Sequence, residues 1–204
     1  INAEEMEAKL KKVFEDVKAP VNPAERIYYP VSDNQEPLIY IGTDKEVKNP
    51  SVNIFFKHEA TPDSLKNTIS YYASQYMLSM AMTMLNNRLN ELRQTANPPF
   101  TNASAGYGEF FLAKTKEAFS LDAGSKVDGI DLAMKTVLEE AERARRFGFT
   151  VTEYERARAN YMQGVESAYN EREKTKSGSY VNEYVNNFLD KEPIPGIEFE
   201  YMLT

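Results

Sequence analysis

The residues best placed to do chemistry lie between Leu85 and Phe100, in the stretch "LNNRLNELRQTANPPF". Arg88 and Arg93 fall in the last turns of a helical run, Asn97-Pro98-Pro99 stops it, and Phe100 opens an aromatic, strand-like segment. Such an elbow is either a helix being ended or a place where something is gripped between helix and strand. Elsewhere the chemistry thins out. His58 is the one histidine and is followed by Glu59, but the zinc-peptidase motif and its inverse both require a second histidine. A catalytic zinc ordinarily takes three protein ligands, two or more of them histidines. The chain has no cysteine, which excludes disulfides, thiolate metal sites and cysteine nucleophiles together. No Ser/His/Asp set is present.

The remaining signals read as structure. His58 is expected at the end of a strand. Glu139, Glu140 and Glu142 beside Arg143, Arg145 and Arg146 are the pattern of a solvated helix face with i,i+4 pairs. "AGYG" at 105–108 is too short for a phosphate loop, and glycines in a strand permit a bulge or a close backbone approach. Met77, Met80 and Met84 are expected as adaptable core packing on a long helix.

The elements that must position these residues follow from periodicity. Met6, Leu10, Val13, Phe14 and Val17 share one face of a helix over 2–17, with Asn2 and Glu5 as a capping box. Pro20 and Pro23 break it. Strands are expected at 26–31, 37–43 and 51–58, the last two joined by a polar hairpin connection. A helix capped by Thr61 runs to about Gln94, with Tyr71–Leu85 buried on more than one side. Strands 104–114 and 117–123 follow as an antiparallel pair turned at Thr115-Lys116. Helices over 128–147, from a capping box at Thr152–Glu155 to about Arg172, and over 179–189 complete the order, with "KEPIPGIE" as a linker. This predicts an α+β layout: a mainly antiparallel sheet with helices on one face. The first helix has no strand before it, so its apolar face needs a partner from elsewhere.

Composition sets the outer bounds. The 204 residues carry 42% hydrophobic and 27% charged residues, ordinary for a globular chain with one sizeable core or two small ones. A net charge of -7 repels phosphate backbones, so no nucleic-acid partner is expected. No apolar run approaches the ~18–20 residues of a membrane span, so no membrane insertion is expected. Starting at Ile1 and stopping at "EYMLT" with apolar residues still arriving, the chain reads as a segment of a longer polypeptide.

Taken in order, "LNNRLNELRQTANPPF", "ERARRFGFTVTEYERARANYM" and "EREKTKS" followed by "VNEYVNNFLDKEPIPGIEFEY" resemble the insulinase/pitrilysin family of zinc metallopeptidases. The resemblance is to the second domain of its long bacterial members and covers nearly the whole chain. It implies a pitrilysin/mitochondrial-processing-peptidase-like domain, one of four similar α+β domains forming two halves around a peptide-sized chamber. In that family the first domain carries the H-x-x-E-H zinc motif and the second is metal-free. Residues 1–19 then correspond to the trailing helix of the preceding catalytic domain, 20–192 to the noncatalytic domain, and 193–204 to the start of an interdomain linker.

The resemblance further implies zinc in the preceding domain and no cofactor in this segment, which alone is expected to be inactive as a peptidase. The implied partners are that catalytic domain, the second half of the same polypeptide and a peptide substrate. Arg93 matches an arginine that supportive domains of the family carry near the substrate, and Phe100 stands where they carry a tyrosine. A phenyl ring cannot donate a hydrogen bond to a developing oxyanion, and "NPP", beginning at Asn97, replaces a glycine-containing turn. The favoured expectation is Phe100 in the core and Arg93 in a structural ion pair; the alternative is a degenerate elbow of Arg93, Asn97 and Phe100 lining the chamber. Two other functions stay open: a noncatalytic scaffold homologue, and an unrelated α+β module that binds a peptide at a sheet edge. Both a periplasmic and a cytoplasmic bacterial location are compatible with the residues.

Overall fold

A computed structural model describes residues 2–111 and 113–203. Its elements are α1 (Ala3–Phe14), β1 (Ser51–Glu59), α2 (Asp63–Lys66), α3 (Ile69–Arg93), β2 (Asn102–Phe110), β3 (Ala113–Gly124), α4 (Ile130–Phe147), α5 (Val151–Asn170), α6 (Ser177–Asp190) and α7 (Ile197–Leu203). The three strands form one antiparallel sheet in the order β1-β3-β2. Strand alternation sorts its side chains. Val52, Ile54 and Phe56 of β1, Phe119, Leu121 and Ala123 of β3, and Ala103, Ala105 and Tyr107 of β2 stand side by side on one face. Helices α3 and α4 cover that face, and Leu85, Leu89, Phe100, Ala105, Leu121, Ala123, Ala133 and Val137 close the core between them. The architecture is α+β, as the residue pattern predicts.

Helix α3 meets β2, α4 and α5, and a second cluster of Met80, Met84 and Ala157 seals α3 to α5. Burial on more than one side of the middle of α3 follows from those contacts. Met77 departs from the methionine expectation: it is 60% exposed. The charged run on α4 forms local pairs, with Glu142 bound to both Arg145 and Arg146, whereas Glu140 turns inward and is buried. Gly148 ends α4 with φ +68°, a conformation that favours glycine.

Several boundaries differ from the sequence reading. Neither 26–31 nor 37–43 joins the sheet; residues 27–29 and 38–41 have no regular secondary structure and are exposed. β-propensity describes fitness for a half-buried pleated surface, and the apolar side chains of these runs stay largely exposed here. The β2–β3 connection lies at Phe111 (φ 52°), so Thr115 and Lys116 belong to β3. The capping box opening α5 is Thr150–Glu153, one half-turn earlier than expected at Thr152–Glu155. The long helix is divided: Pro62 precedes the short α2, and Thr68 caps α3 through the Tyr71 N–H. Residues after Pro195 form α7 against α5 where a linker was expected, held by Tyr201 stacked on Tyr169 at 4.3 Å. Helix α1 forms as expected, with Asn2 accepting from the Glu4 and Glu5 N–H groups, and buries no residue.

Candidate functional site

The outer edge of β2 runs beside α3, and between them opens a groove of about 520 Å³ lined by Gln75, Leu78, Ser79, Met82, Thr83, Asn86, Asn87, Gly106 and Tyr107. Its backbone geometry is fixed by Asn86. The Asn86 side chain donates to the Ala105 carbonyl at 2.9 Å and accepts from the Ala105 N–H at 2.8 Å. A carboxamide thus occupies the place of one residue of a neighbouring strand. Because outward and inward backbone groups alternate along a strand, the Ala105 contact also turns the N–H and C=O of Ala103 and Tyr107 outward. The groove therefore offers an acceptor and a donor of Tyr107 beside a helix wall of neutral polar and apolar side chains.

At the far end of the groove the Tyr107 ring stacks on His58 at 5.4 Å and its hydroxyl donates to Glu117 at 3.0 Å. Burial, reinforced by that carboxylate, pushes the Tyr107 hydroxyl up to about 12, so it stays a protonated donor. Glu117 also accepts from the Thr61 N–H at 3.3 Å and from its hydroxyl at 3.5 Å. These bonds tie the ends of β1, β2 and β3 together. His58 sits one residue from the end of β1, where its Nδ1 lies 2.9 Å from the Glu59 carbonyl.

The elbow residues do not converge. Phe100 is 2% exposed in the core. Arg93 is exposed and donates to the Asn90 side-chain oxygen at 2.8 and 3.2 Å, an amide rather than the carboxylate of an ion pair. Asn97 is exposed. The structural ion pair belongs instead to Arg88, whose guanidinium grips Glu153 at 2.5 and 2.9 Å, donates to the Gly148 carbonyl at 3.1 Å and lies 4.7 Å from the centre of the Phe149 ring. Sequence reasoning missed this pair and Asn86, because one depends on how α3 meets α5 and the other on how α3 lies beside β2, not on spacing within one helix. Among the described residues no group of three or more histidine, aspartate or glutamate side chains could hold a metal ion. The single histidine stacks on a tyrosine. These residues do not fit a zinc site.

The structure is a three-stranded antiparallel sheet under helices, with a groove along β2 lined by backbone, amide, hydroxyl and apolar groups. Residues 1–161 match the family described as the Peptidase M16 inactive domain, and the chain belongs to that family. It is 28% identical over 194 residues to a zinc protease PQQL-like protein of Arabidopsis thaliana, a match covering 95% of this chain and 17% of that protein. The fold is that of the periplasmic protease PqqL from Escherichia coli, at TM-score 0.76 and 17% identity, covering all of this chain and 22% of that one. The first half of PqqL gives TM-score 0.77 over 42% of its length. A predicted insulinase family protease from Yersinia pestis gives TM-score 0.73 at 12% identity, over 43% of its length. The chain thus spans about one sixth of the curated relative it matches.

Proposed function

We propose that this chain is the noncatalytic domain of a zinc-dependent metalloendopeptidase, in which it supports the preceding catalytic domain and forms part of the wall of a peptide chamber. The observation that carries this reading is the groove along β2. An extended peptide laid beside β2 exchanges backbone hydrogen bonds with Tyr107 and rests its side chains on Leu78, Ser79 and Met82. Helix α1 supplies the supporting contact. Met6, Leu10, Val13, Phe14 and Val17 are 41–72% exposed, a stripe that belongs against the domain carrying the zinc ligands, and residues 1–19 are its trailing segment. Arg93 and Asn97, both exposed, lie at the chamber rim, while Phe100 serves the core. Zinc chemistry resides in residues outside this chain; in this reading the second half of the polypeptide closes the chamber.

The experiment is peptide hydrolysis by the full-length protein carrying Ser79→Trp, which fills the groove without touching the core. The expected result is a KM for peptides raised about tenfold, the loss of roughly 1.4 kcal/mol of binding, with kcat unchanged. An unchanged KM would overturn the chamber-wall role.

A further inference from the structure

Strand alternation gives the sheet a second face, turned away from α3 and α4. Two rows of paired residues cross its middle, Asn53–Asp122–Ser104 and Phe55–Ser120–Gly106. Asp122 stands at the centre of the first row, on the central strand of the sheet. It is half-buried, and burial pushes its carboxyl up with no cation to draw it back. Among the described residues no hydrogen bond or ion pair reaches it. The two lysines of this face are committed elsewhere: Lys57 donates to the Ser32 carbonyl, and Lys116 binds Asp33 and Glu59. A carboxylate drawn part-way out of water with nothing to bind costs stability, so its presence here calls for a partner that arrives from outside.

The surroundings say what that partner is. Phe55 is the diagonal neighbour of Asp122, within reach of one long side chain. Its ring is braced by Phe110 at 5.7 Å and Phe111 at 4.8 Å, yet stays 38% exposed. Gly106 joins this face to the groove along β2, which it also lines. A Cβ at position 106 would meet the Ser120 hydroxyl at 3.0 Å; with glycine the surface between groove and carboxylate stays flat. Glycine inside a strand marks a place of close approach, and here it leaves a path across β2 towards Ser120, Asp122 and Phe55. A group that takes this path must be cationic to answer the carboxylate, planar to lie on the Phe55 ring, and carried on a long apolar stem. A guanidinium meets all three conditions: it binds a carboxylate through two parallel hydrogen bonds and stacks on aromatic faces. Lysine offers a point charge without the fork or the plane.

We propose that Asp122 and Phe55 form a binding site for an arginine side chain of a peptide held along β2. The site rests on the chamber-wall reading and adds a specificity to it. An extended peptide beside β2 sends alternate side chains to opposite faces of the sheet. Those on one side rest on Leu78, Ser79 and Met82, in a groove lined by no charged residue. The residue beside Gly106 points to the other side and lays its side chain across the glycine. The two faces thus select differently, uncharged residues towards the helix and arginine towards Asp122.

The test is hydrolysis by the full-length protein of short quenched-fluorescent peptides in which a single arginine is moved along a serine–leucine background. Each has a citrulline twin of the same shape and no charge. At one position arginine should lower KM about tenfold relative to citrulline, the scale of a charge-assisted contact, and lysine should lower it less. Asp122→Asn should abolish the difference while leaving kcat, the KM of the citrulline peptides and the urea midpoint undiminished. Asp122→Lys should reverse the preference, so that glutamate at that position is favoured over glutamine. An arginine advantage that survives Asp122→Asn overturns the proposal, as does a KM that rises equally for the citrulline twins. No arginine advantage at any position, with Ser79→Trp still raising KM, overturns it and leaves the chamber-wall reading standing. If Ser79→Trp is without effect as well, both fall.

Discussion

Glu153→Gln isolates the contact that locks α3 to the start of α5. In the native chain the Glu153 carboxylate receives two charge-assisted bonds from Arg88 and also caps α5 through the Thr150 N–H at 2.7 Å. A glutamine keeps the cap but offers the guanidinium one acceptor in place of two and no charge. Arg88 already has one buried nitrogen, Nη1, without a hydrogen-bond partner, so the loss is not absorbed locally. The Arg88 bonds hold the Glu153 carboxyl down at about 2, against an ordinary 4.5. That gap caps the contribution at ~3 kcal/mol, at about 1.4 kcal/mol per pH unit. Both side chains keep some solvent contact, 16% and 22%, which lowers the expectation to ~2 kcal/mol. Tm should fall by about 4–8 °C for a chain of this length. The sign with pH follows from a depressed carboxylate. Its stabilisation is complete above about pH 4.5 and is lost as pH falls towards 2. Urea unfolding of both proteins at pH 7 and at steps down to pH 2.5 measures this. A destabilisation that stays constant across the acid range would refute the assignment of the contact to charge.

Two further substitutions probe the groove and the elbow. Asn86→Ala removes both bonds to Ala105 and leaves a strand N–H and C=O facing the groove. It should cost ~2 kcal/mol in urea unfolding and speed exchange at the Ala105 amide; an unchanged exchange rate there would show that the carboxamide does not complete the edge. Phe100→Ala empties a core position packed among Leu89, Leu121 and Val137 and should cost ~3–5 kcal/mol, whereas Arg93→Ala, at an exposed amide contact, should change stability by less than about 0.5 kcal/mol. Comparable losses from the two would mean that the elbow acts as a unit.

Elements whose burial is decided within one run of sequence were legible. The stripe on α1, the glycine stop of α4 and the antiparallel β2–β3 pair all follow from spacing and residue type. Phe100 was legible as a core residue because a helix stop followed by a strand returns an aromatic inward. What failed depended on partners distant in sequence. The run 37–43 has strand residues whose apolar side chains stay largely exposed, and Lys116 was misread as a turn residue because its partners, Asp33 and Glu59, lie 83 and 57 residues away. The same holds for Asn86, a helix asparagine whose role appears only once β2 lies beside it, 19 residues on.

The distribution of apolar surface links these observations to function. Around β3 the fold is closed, with Leu121, Ala133, Val137 and Leu89 wholly buried. The unburied apolar side chains gather at α1, at 27–41 and on α6, where Tyr180, Val181, Tyr184, Val185, Phe188 and Leu189 are 42–75% exposed. Isolated exposed leucines and tyrosines are ordinary, but a stripe of them along one element is a surface that a partner can cover. The chain uses polar groups to tie elements together, Arg88 to Glu153, Lys116 to Asp33 and Glu59, and Tyr107 to Glu117, and leaves part of its apolar surface exposed. In the proposed reading of a supporting domain, these ion pairs and hydrogen bonds set the domain's own geometry, and its exposed stripes are the surfaces that neighbouring domains would cover.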